Sequence, residues 1–172
     1  MLQEILKARE ERWLRRCQLV EHYQSPVISI TLNIPGPEKT KKLYQEAHKK
    51  ISQDFCQYLK DQGHVSLVEE YRFTADGPEA YLILVGKHSA WELKKVAIEF
   101  ENNHPLGRLV DIDIMDEEKN IISRSNLGEL ERKCLLCAAS ARECIINRKH
   151  SLEELLMVIE NMILQQEEFK EE

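Results

Sequence analysis

The sequence lacks a long hydrophobic run: no apolar segment approaches the roughly 18 residues that a membrane-spanning helix requires. It also lacks an excess of basic residues. The net charge of -6 argues against non-specific nucleic-acid binding, which needs a basic field. Residues 1–16, MLQEILKAREERWLRR, carry charges throughout and have no apolar centre of a signal peptide. These absences predict a cytoplasmic chain whose partners include neither a membrane nor a nucleic acid.

Cysteine is scarce as well, and no internal repeat or low-complexity linker divides the chain. Five cysteines in a cytoplasmic protein are expected to be reduced, which argues against a disulfide framework. Hydrophobic residues make up 42% and charged residues 31%, a balance typical of a soluble globular chain. We therefore predict a single domain over residues 1–172, with an N-terminal helix at 1–25, an α+β core at 26–125 and a helical extension at 130–170.

The hydrophobic pattern predicts a mixed α+β fold. An amphipathic helix is expected at 1–23, with Leu2, Ile5, Leu6 and Trp13 on its apolar side. Beyond it we predict helices at 38–62 and 88–102, strands at 27–34, 65–73, 80–86 and 107–116, and a short return strand in IISRS. The order β-α-β-β-α-β is that of a ferredoxin-like, split-βαβ core, with one antiparallel sheet and two helices on one face.

The chain after the return strand is predicted to be helical. Two helical pieces are expected from Arg132 to Phe169, with a break near residues 147–151. The second piece begins with a capping-box pattern, because Ser151 is followed three residues later by Glu154.

Asp111 and Asp113 stand two apart in the predicted strand GRLVDIDIMD, so their side chains point to the same face. Two carboxylates at this spacing repel each other unless a positive group lies between them. Mg²⁺ takes oxygen ligands and retains waters for phosphates, so the pair predicts a magnesium site for phosphoryl or nucleotidyl transfer. An ordinary solvated sheet face would show the same alternation, and this alternative stays open.

Other polar groups near the pair in sequence favour the metal-site interpretation. Arg108 and Arg124 could neutralise phosphate charge, because a guanidinium meets phosphate oxygens bidentately. His104 lies close by in the motif HPLGR. Polymerase-type sites usually need a third carboxylate, for which the candidates are Glu79, Glu99 and Asp116.

Three of the five cysteines lie in the segment RKCLLCAASARECIINRKH at 132–150. Cys134, Cys137, Cys144 and His150 form the pattern C-x2-C-x6-C-x5-H, which can hold a structural zinc ion. On one continuous helix, however, Cys134 and Cys144 would lie about 15 Å apart, too far for one ion. The alternatives are a stripe of small residues packed closely on the sheet and redox chemistry.

Basic residues form three further groups. The first two are interpreted as solvated helix faces that could also bind phosphates or an acidic partner, and the third is a basic patch in the tail. These groups are Arg12, Arg15 and Arg16; Lys39, Lys41, Lys42, Lys49 and Lys50; and Arg142, Arg148, Lys149 and His150.

Several of these segments together resemble a known enzyme family. HPLGRLVDIDI at 104–114, RKCLLC at 132–137, the A-x-x-C at 141–144 and the basic run ending in His150 are similar to holo-citrate lyase synthase. That enzyme is also called apo-citrate lyase phosphoribosyl-dephospho-CoA transferase. ILKAREERW near the start and ISITLNIPGPEK at 28–39 extend the resemblance over nearly the whole chain, and HPLGR-x-x-DID is its most specific part.

The resemblance implies a reaction and a set of roles. The family transfers a prosthetic group from triphosphoribosyl-dephospho-CoA to a serine of the acyl carrier subunit of citrate lyase, and pyrophosphate leaves. Asp111 and Asp113 would then hold Mg²⁺, Arg108 would stabilise the leaving charge, and His104 or an aspartate would accept the serine proton. We expect the substrate to be bound by Gly107, Arg124 and Arg148.

Two other functions compete with this interpretation. The first is a non-enzymatic, zinc-stabilised adaptor that docks on an acyl-carrier complex; it predicts stoichiometric zinc and aspartates that tolerate substitution. The second keeps the enzyme but changes its substrate to a carrier of the malonate decarboxylase type.

Overall fold

The structure is a computed structural model, and it describes residues 2–166. Within that range the chain forms five α-helices, five β-strands and a short 3₁₀ turn. In chain order they are α1 (Leu2–Tyr23), β1 (Val27–Leu32), α2 (Lys42–Asp61), β2 (Ser66–Thr74), β3 (Gly77–Leu84), α3 (Ala90–Asn103), β4 (Val110–Met115), β5 (Ile121–Ile122), the 3₁₀ turn (Ser125–Leu127), α4 (Ala141–Ile146) and α5 (Leu152–Leu164).

The five strands form one sheet in the order β2-β3-β1-β4-β5, and each neighbouring pair is antiparallel. Helix α2 connects β1 to β2, and α3 connects β3 to β4, so each helix passes over a strand that lies between the two it joins. The prediction of an α+β chain with one antiparallel sheet is confirmed, and β5 is the predicted return strand.

The main core lies between one face of the sheet and the helices α2, α3 and α5. Apolar residues of α2 recur at i, i+4 and are fully buried, as the pattern Ala47, Ile51, Phe55, Leu59 predicts. The ring of Phe55 meets the ring of Phe100 edge-to-face, with centroids 5.0 Å apart. This packing fixes α2 and α3 against β1 and β4, the two strands at the centre of the candidate site.

Helix α1 covers part of the opposite face of the sheet. Leu19 and Val20 pack there in a second, smaller apolar cluster with Tyr81 and Met115. The predicted apolar side of α1 is wrong in part, because the Trp13 side chain is exposed and the buried stripe includes a charged residue. That stripe consists of Ile5, Ala8, Arg16, Leu19 and Val20.

The predicted helix beginning near Arg132 is wrong, because residues 132–140 form a loop and α4 begins only at Ala141. Lys133 and Ser140 form an isolated antiparallel bridge that folds this loop back on itself. The predicted break is confirmed between α4 and α5, and the capping box of Ser151 and Glu154 is present. The predicted end at Phe169 lies outside the described residues. No helix within 2–166 is long and apolar enough to cross a membrane.

Candidate active site and metal centre

Strand β4 places Asp111 and Asp113 on one face of the sheet. Asp111 lies opposite Thr31 of β1, and Asp113 lies opposite Ser29. The alternate residues of β4, among them Ile112, are buried in the main core beneath the helices. The prediction that the two aspartates share a face is therefore confirmed, and this face is the one that α1 partly covers.

Arginines supply the positive charge beside the pair. Nη2 of Arg16 lies 3.4 Å from Oδ2 of Asp113, and Nη2 of Arg132 lies 3.2 Å from Oδ1 of Asp111. Burial and the negative charge of Asp111 raise the pKa of Asp113 above its usual value, although Arg16 and Lys94 oppose this shift. The Asp111 side chain is 46% exposed and opens toward solvent.

Arg9, Arg12 and Arg16 form an arginine stripe on α1 that faces a polar cleft of about 330 Å³ between that helix and the sheet. Arg12, Arg16 and Lys39 have side chains only 11%, 9% and 11% exposed, so the prediction that they lie on solvated faces is wrong. Arg12 pairs with Asp76 at 2.8 Å, and Lys39 pairs with Asp76 at 3.1 Å. Nε of Arg16 is buried and finds no hydrogen-bond partner among the described residues.

Asp76 anchors this cleft at the β2–β3 turn. Burial alone raises its pKa, but hydrogen bonds from Arg9, Lys39 and Arg12 outweigh that effect and leave the pKa below its usual value. The sequence contained a signal that these arginines face the sheet, but their positive charge obscured it. Arg9, Arg12 and Arg16 follow the same helical spacing as the buried residues of α1, so their side chains also face the sheet.

Of the predicted third carboxylates, Glu79 shares the aspartates' face. It lies opposite Thr31 on β3, is fully buried, and accepts hydrogen bonds from Thr74 and Tyr81. Asp116 instead shapes the β4–β5 turn, where it accepts hydrogen bonds from backbone N–H groups.

Sequence reasoning missed Glu101, a carboxylate at the edge of β4. Its Oε1 accepts a hydrogen bond of 2.9 Å from the Ile112 N–H, while Lys94 donates one of 2.6 Å to the Ile112 carbonyl. These two side chains satisfy the backbone of β4 where the short β5 no longer pairs with it. Glu101 also forms ion pairs with Arg124 and with Arg132, the latter at 2.8 Å.

The motif residues Gly107 and Arg108 form a turn packed on the end of α3. A Cβ atom at Gly107 would lie 2.0 Å from the carbonyl oxygen of Glu101, so this close approach requires glycine. The following Arg108 donates a hydrogen bond to the Lys133 carbonyl oxygen. Burial and the nearby positive charge of Arg132 lower the pKa of Arg108.

His104 lies in the helix layer against α2. Its Nε2 lies 3.1 Å from Oδ2 of Asp54, and its Nδ1 accepts a hydrogen bond of 3.1 Å from the Leu106 N–H. The ring also stacks on Phe100, with centroids 4.8 Å apart. Both ring nitrogens are therefore engaged in hydrogen bonds within this layer, and the predicted catalytic role remains a prediction.

The structure brings the cysteine cluster together. One ligand atom each from Cys134, Cys137, Cys144 and His150 lies within 4.8 Å of the others, an arrangement that could hold a metal ion and fits zinc. The expected distance of about 15 Å between Cys134 and Cys144 is wrong, because the first two cysteines lie in the loop before α4.

A cleft of about 360 Å³ lies beside the cysteine cluster, and Cys134, Cys144 and His150 form part of its lining. Its apolar walls include Leu135, Leu152 and Leu155, and its basic groups are Arg108, Arg132, Lys133 and Arg148. Arg132 lines this cleft and also contacts Asp111, so one side chain joins the cleft to the aspartate pair.

The comparisons with known proteins agree with this arrangement of motifs along the chain. The model of the family described as "Apo-citrate lyase phosphoribosyl-dephospho-CoA transferase" matches residues 1–166. The chain belongs to this family. It is 34% identical over 160 residues to the transferase of that name from Citrobacter koseri, covering 93% of this chain and 86% of the relative.

Further relatives come from other bacteria. A Vibrio cholerae protein named "Probable apo-citrate lyase phosphoribosyl-dephospho-CoA transferase" is 34% identical over 164 residues, covering 94% of this chain and 90% of the relative. A Streptococcus pyogenes protein of the same name is 35% identical over 167 residues, covering 94% of this chain and 84% of the relative. The family match over residues 1–166 spans the segments that contain the aspartate pair, the arginines of α1 and the cysteine cluster.

Proposed function

We propose that the chain attaches a prosthetic group to a carrier protein. It would transfer phosphoribosyl-dephospho-CoA from triphosphoribosyl-dephospho-CoA to a serine of the apo acyl carrier subunit of citrate lyase, with release of pyrophosphate. The names of the relatives support the transferase role. The observation that carries the proposal is the aspartate pair beside a buried arginine, Arg16. The Nε atom of Arg16 has no hydrogen-bond partner among the described residues.

The triphosphate would bind in the cleft between α1 and the sheet. Arg9, Arg12, Arg16 and Lys39 line this space together with the carboxylates of Asp76 and Asp111, so cations outnumber anions where charge-assisted hydrogen bonds are strong. The free Nε of Arg16 is a donor that an anionic oxygen can satisfy. Arg108 and Arg124 would stabilise charge on the bridging oxygen as it leaves.

Asp111 and Asp113 suit a magnesium site by donor type, since both offer the carboxylate oxygens that Mg²⁺ prefers. Asp111 is half exposed, so one of its oxygens remains accessible from the cleft. When bound there, Mg²⁺ would neutralise part of the triphosphate charge. Arg16 and Arg132 already lie beside the pair and would orient the two carboxylates.

The transfer forms one bond to phosphorus and breaks another. The serine Oγ forms a bond to the phosphorus nearest the ribose, and the bond from that phosphorus to the bridging oxygen breaks. Pyrophosphate leaves with the bonding electrons, and the serine proton passes to a base. An aspartate is a better acceptor candidate than His104, because His104 lies in the helix layer against Asp54, whereas the aspartates lie on the opposite face of the sheet.

The dephospho-CoA part of the substrate would occupy the cleft beside the cysteine cluster. Its apolar walls suit the adenine and the pantetheine arm, while Lys133 and Arg148 suit the diphosphate. The turn at Gly107 and the side chain of Arg124 line the adjoining cleft, which fits their predicted role in substrate binding. Arg132 would link the two parts of the substrate across the sheet edge.

The test follows the intact mass of the carrier. Purified protein, apo carrier, triphosphoribosyl-dephospho-CoA and Mg²⁺ should give a mass gain equal to the precursor minus pyrophosphate. EDTA should abolish the gain. Asp111→Asn and Asp113→Asn should each slow it by about 10²-fold or more, because each removes a charge needed in the transition state.

Asp116→Asn is the matched control, since Asp116 ends the same strand but only shapes a turn. It should retain the parent rate. Parent-like transfer in both aspartate variants would contradict the metal site, and transfer to the malonate decarboxylase carrier alone would change the substrate.

The cysteine cluster favours one competing function, a zinc-stabilised adaptor on an acyl-carrier complex. An adaptor would bind the carrier and hold zinc without changing the carrier's mass. Absence of any mass gain, with a folded protein and a competent carrier, would support the adaptor over the transferase.

We also propose that β1–β4 with α2 and α3 form a split-βαβ unit of ferredoxin-like type. The order β2-β3-β1-β4 and the two crossovers, each with one strand between its ends, support this assignment. Residues 1–172 would then act as one transferase domain.

A further inference from the structure

We propose that Cys134, Cys137, Cys144 and His150 hold one structural zinc ion. Sγ of Cys137 lies 3.4 Å from Sγ of Cys144, and Nε2 of His150 lies 3.3 Å from Sγ of Cys137. Tetrahedral zinc with bonds of about 2.3 Å separates its sulfur ligands by about 3.8 Å. The four side chains therefore surround a point that needs only small shifts to accept zinc.

Hydrogen bonds around Cys134 and Cys137 shape a loop that can present both sulfur atoms to one metal ion. The Leu136 N–H donates a hydrogen bond of 3.4 Å to Sγ of Cys134, which orients this sulfur. The Cys134 N–H donates to the Ala139 carbonyl at 2.8 Å, closing the loop that contains Cys137. A C-x2-C loop followed by ligands from a helix and its end is a common zinc arrangement.

The segment from 129 to 150 has almost no apolar core of its own. Within this described range, Cys134 and Cys144 are the only buried residues. Leu130, Ile145 and Ile146 are exposed by 70% or more. Helix α4 has six residues, too few to be stable without tertiary contacts. Apolar burial therefore does not explain how this segment holds its conformation. A metal ion bound by the cysteines would account for it.

The ion would hold one wall of the cleft in place. Arg132, Lys133 and Arg148 all belong to this segment and line the cleft. Arg132 also reaches Asp111 and Glu101 on the sheet. With four protein ligands the site has no open position for substrate, so the zinc would be structural and would position Arg132 indirectly.

The first test is metal content. Protein purified under reducing conditions should contain about one zinc per chain, and Cys134→Ser or Cys144→Ser should contain about a tenth of that or less. His150→Cys should retain zinc, because it completes a four-cysteine site. Cys17→Ser is the matched control and should retain full content, since Cys17 lies on α1 away from the cluster.

The second test locates the effect within the chain. Cobalt in place of zinc should give the visible d–d bands of tetrahedral coordination and a thiolate charge-transfer band, which Cys144→Ser should weaken. Chelation should expose the segment to trypsin at Arg132, Lys133, Arg142, Arg148 and Lys149, while the sheet stays resistant.

Two results would overturn the proposal. One is protein that binds neither zinc nor cobalt after reconstitution in reducing buffer. The other is metal that remains at full content in Cys134→Ser and Cys144→Ser. Neither measurement uses the transfer reaction, so the zinc site and the proposed function can fail separately.

Discussion

The aspartate pair and the cysteine cluster are linked by Arg132, which precedes Cys134 by two residues and contacts Asp111, yet different forces hold the two regions. Asp111 and Asp113 belong to β4, which pairs with β1 along all six of its residues. Their alternate neighbours are buried in the main core. The cysteine cluster instead lies in a segment with one isolated bridge, a six-residue helix and two buried residues.

This difference teaches which part of the candidate site is built before any ligand binds. The sheet fixes the aspartates by backbone pairing and apolar burial, so their spacing survives changes of ion or substrate. The segment at 129–150 depends on its own ligands for a core. Arg132 belongs to this segment, and its side chain contacts Asp111 and Glu101, so we expect the cysteine region to affect transfer through the position of this side chain.

We call the aspartate pair and the strands around it the preformed half of the candidate site, and the segment at 129–150 the cysteine half. The largest effect on the preformed half is expected from removal of the Arg16 guanidinium. Arg16→Gln should lower the transfer rate by about 10²- to 10³-fold, because it removes a buried donor aimed at the triphosphate cleft. Steady-state kinetics should place most of the loss in kcat. Arg16→Lys should recover part of the rate, because it restores the charge without the planar fork.

Arg15→Gln is the control for that experiment. Arg15 is the next residue on α1, but it forms an ion pair with Glu70 at the edge strand. Arg15 does not line the cleft between α1 and the sheet, so the transfer rate of this variant should change by no more than about fivefold. Equal losses in the two variants would mean that α1 acts through stability and not through the cleft.

The preformed half was also the more predictable one. Strand alternation in VDIDIM placed the aspartates on one face and the apolar residues in the core, since strand periodicity is two. The buried arginines of α1 were misjudged because their charge suggested solvent, although their spacing follows the buried stripe. Only the acidic groups of the sheet and of its β2–β3 turn explain their burial, and those pairings are not local in sequence.

The cysteine half was misjudged for the opposite reason. The spacing C-x2-C-x6-C is compatible both with one helical stripe and with a loop followed by a helix. The stripe requires one continuous helix from Arg132, but Ser140 caps α4 and keeps Cys134 and Cys137 outside the helix. Glu101 was missed because its role, satisfying the free edge of β4, depends on how short β5 is.

A second prediction concerns the turn that joins the two halves. Gly107→Ala should lower the free energy of unfolding by about 3 kcal/mol, because its Cβ would lie 2.0 Å from the Glu101 carbonyl oxygen and backbone must move. Transfer should also slow, since the shift displaces Arg108. Urea denaturation and the mass assay measure the two effects.

Gly63→Ala is the matched control, because Gly63 has a φ of +84° and no atom within 4 Å of its ideal Cβ. It should cost about 1 kcal/mol from backbone strain alone, with no effect on transfer. An equal loss of unfolding free energy in both alanine variants would mean that the close approach at Gly107 is relieved without moving α3. The turn would then not set the position of Arg108.

The smallest effect compares the main core with the cysteine segment, because a serine caps one helix in each. Ser151 accepts a hydrogen bond of 3.1 Å from the Glu154 N–H at the start of α5, and Ser140 accepts one of 3.1 Å from the Glu143 N–H at the start of α4. Ser151→Ala should lower the free energy of global unfolding by about 1 kcal/mol, since α5 buries Ile159 and Ile163 in the main core.

Ser140→Ala removes the same kind of hydrogen bond, but α4 contributes only Cys144 to a buried position. In the presence of EDTA its unfolding free energy should change by less than about 0.5 kcal/mol, because the segment is then already loose. Its zinc affinity should instead fall by about fivefold, the equivalent of about 1 kcal/mol. Equal losses of global stability in both variants, measured by urea denaturation in EDTA, would show that the segment folds with the core and does not depend on the metal.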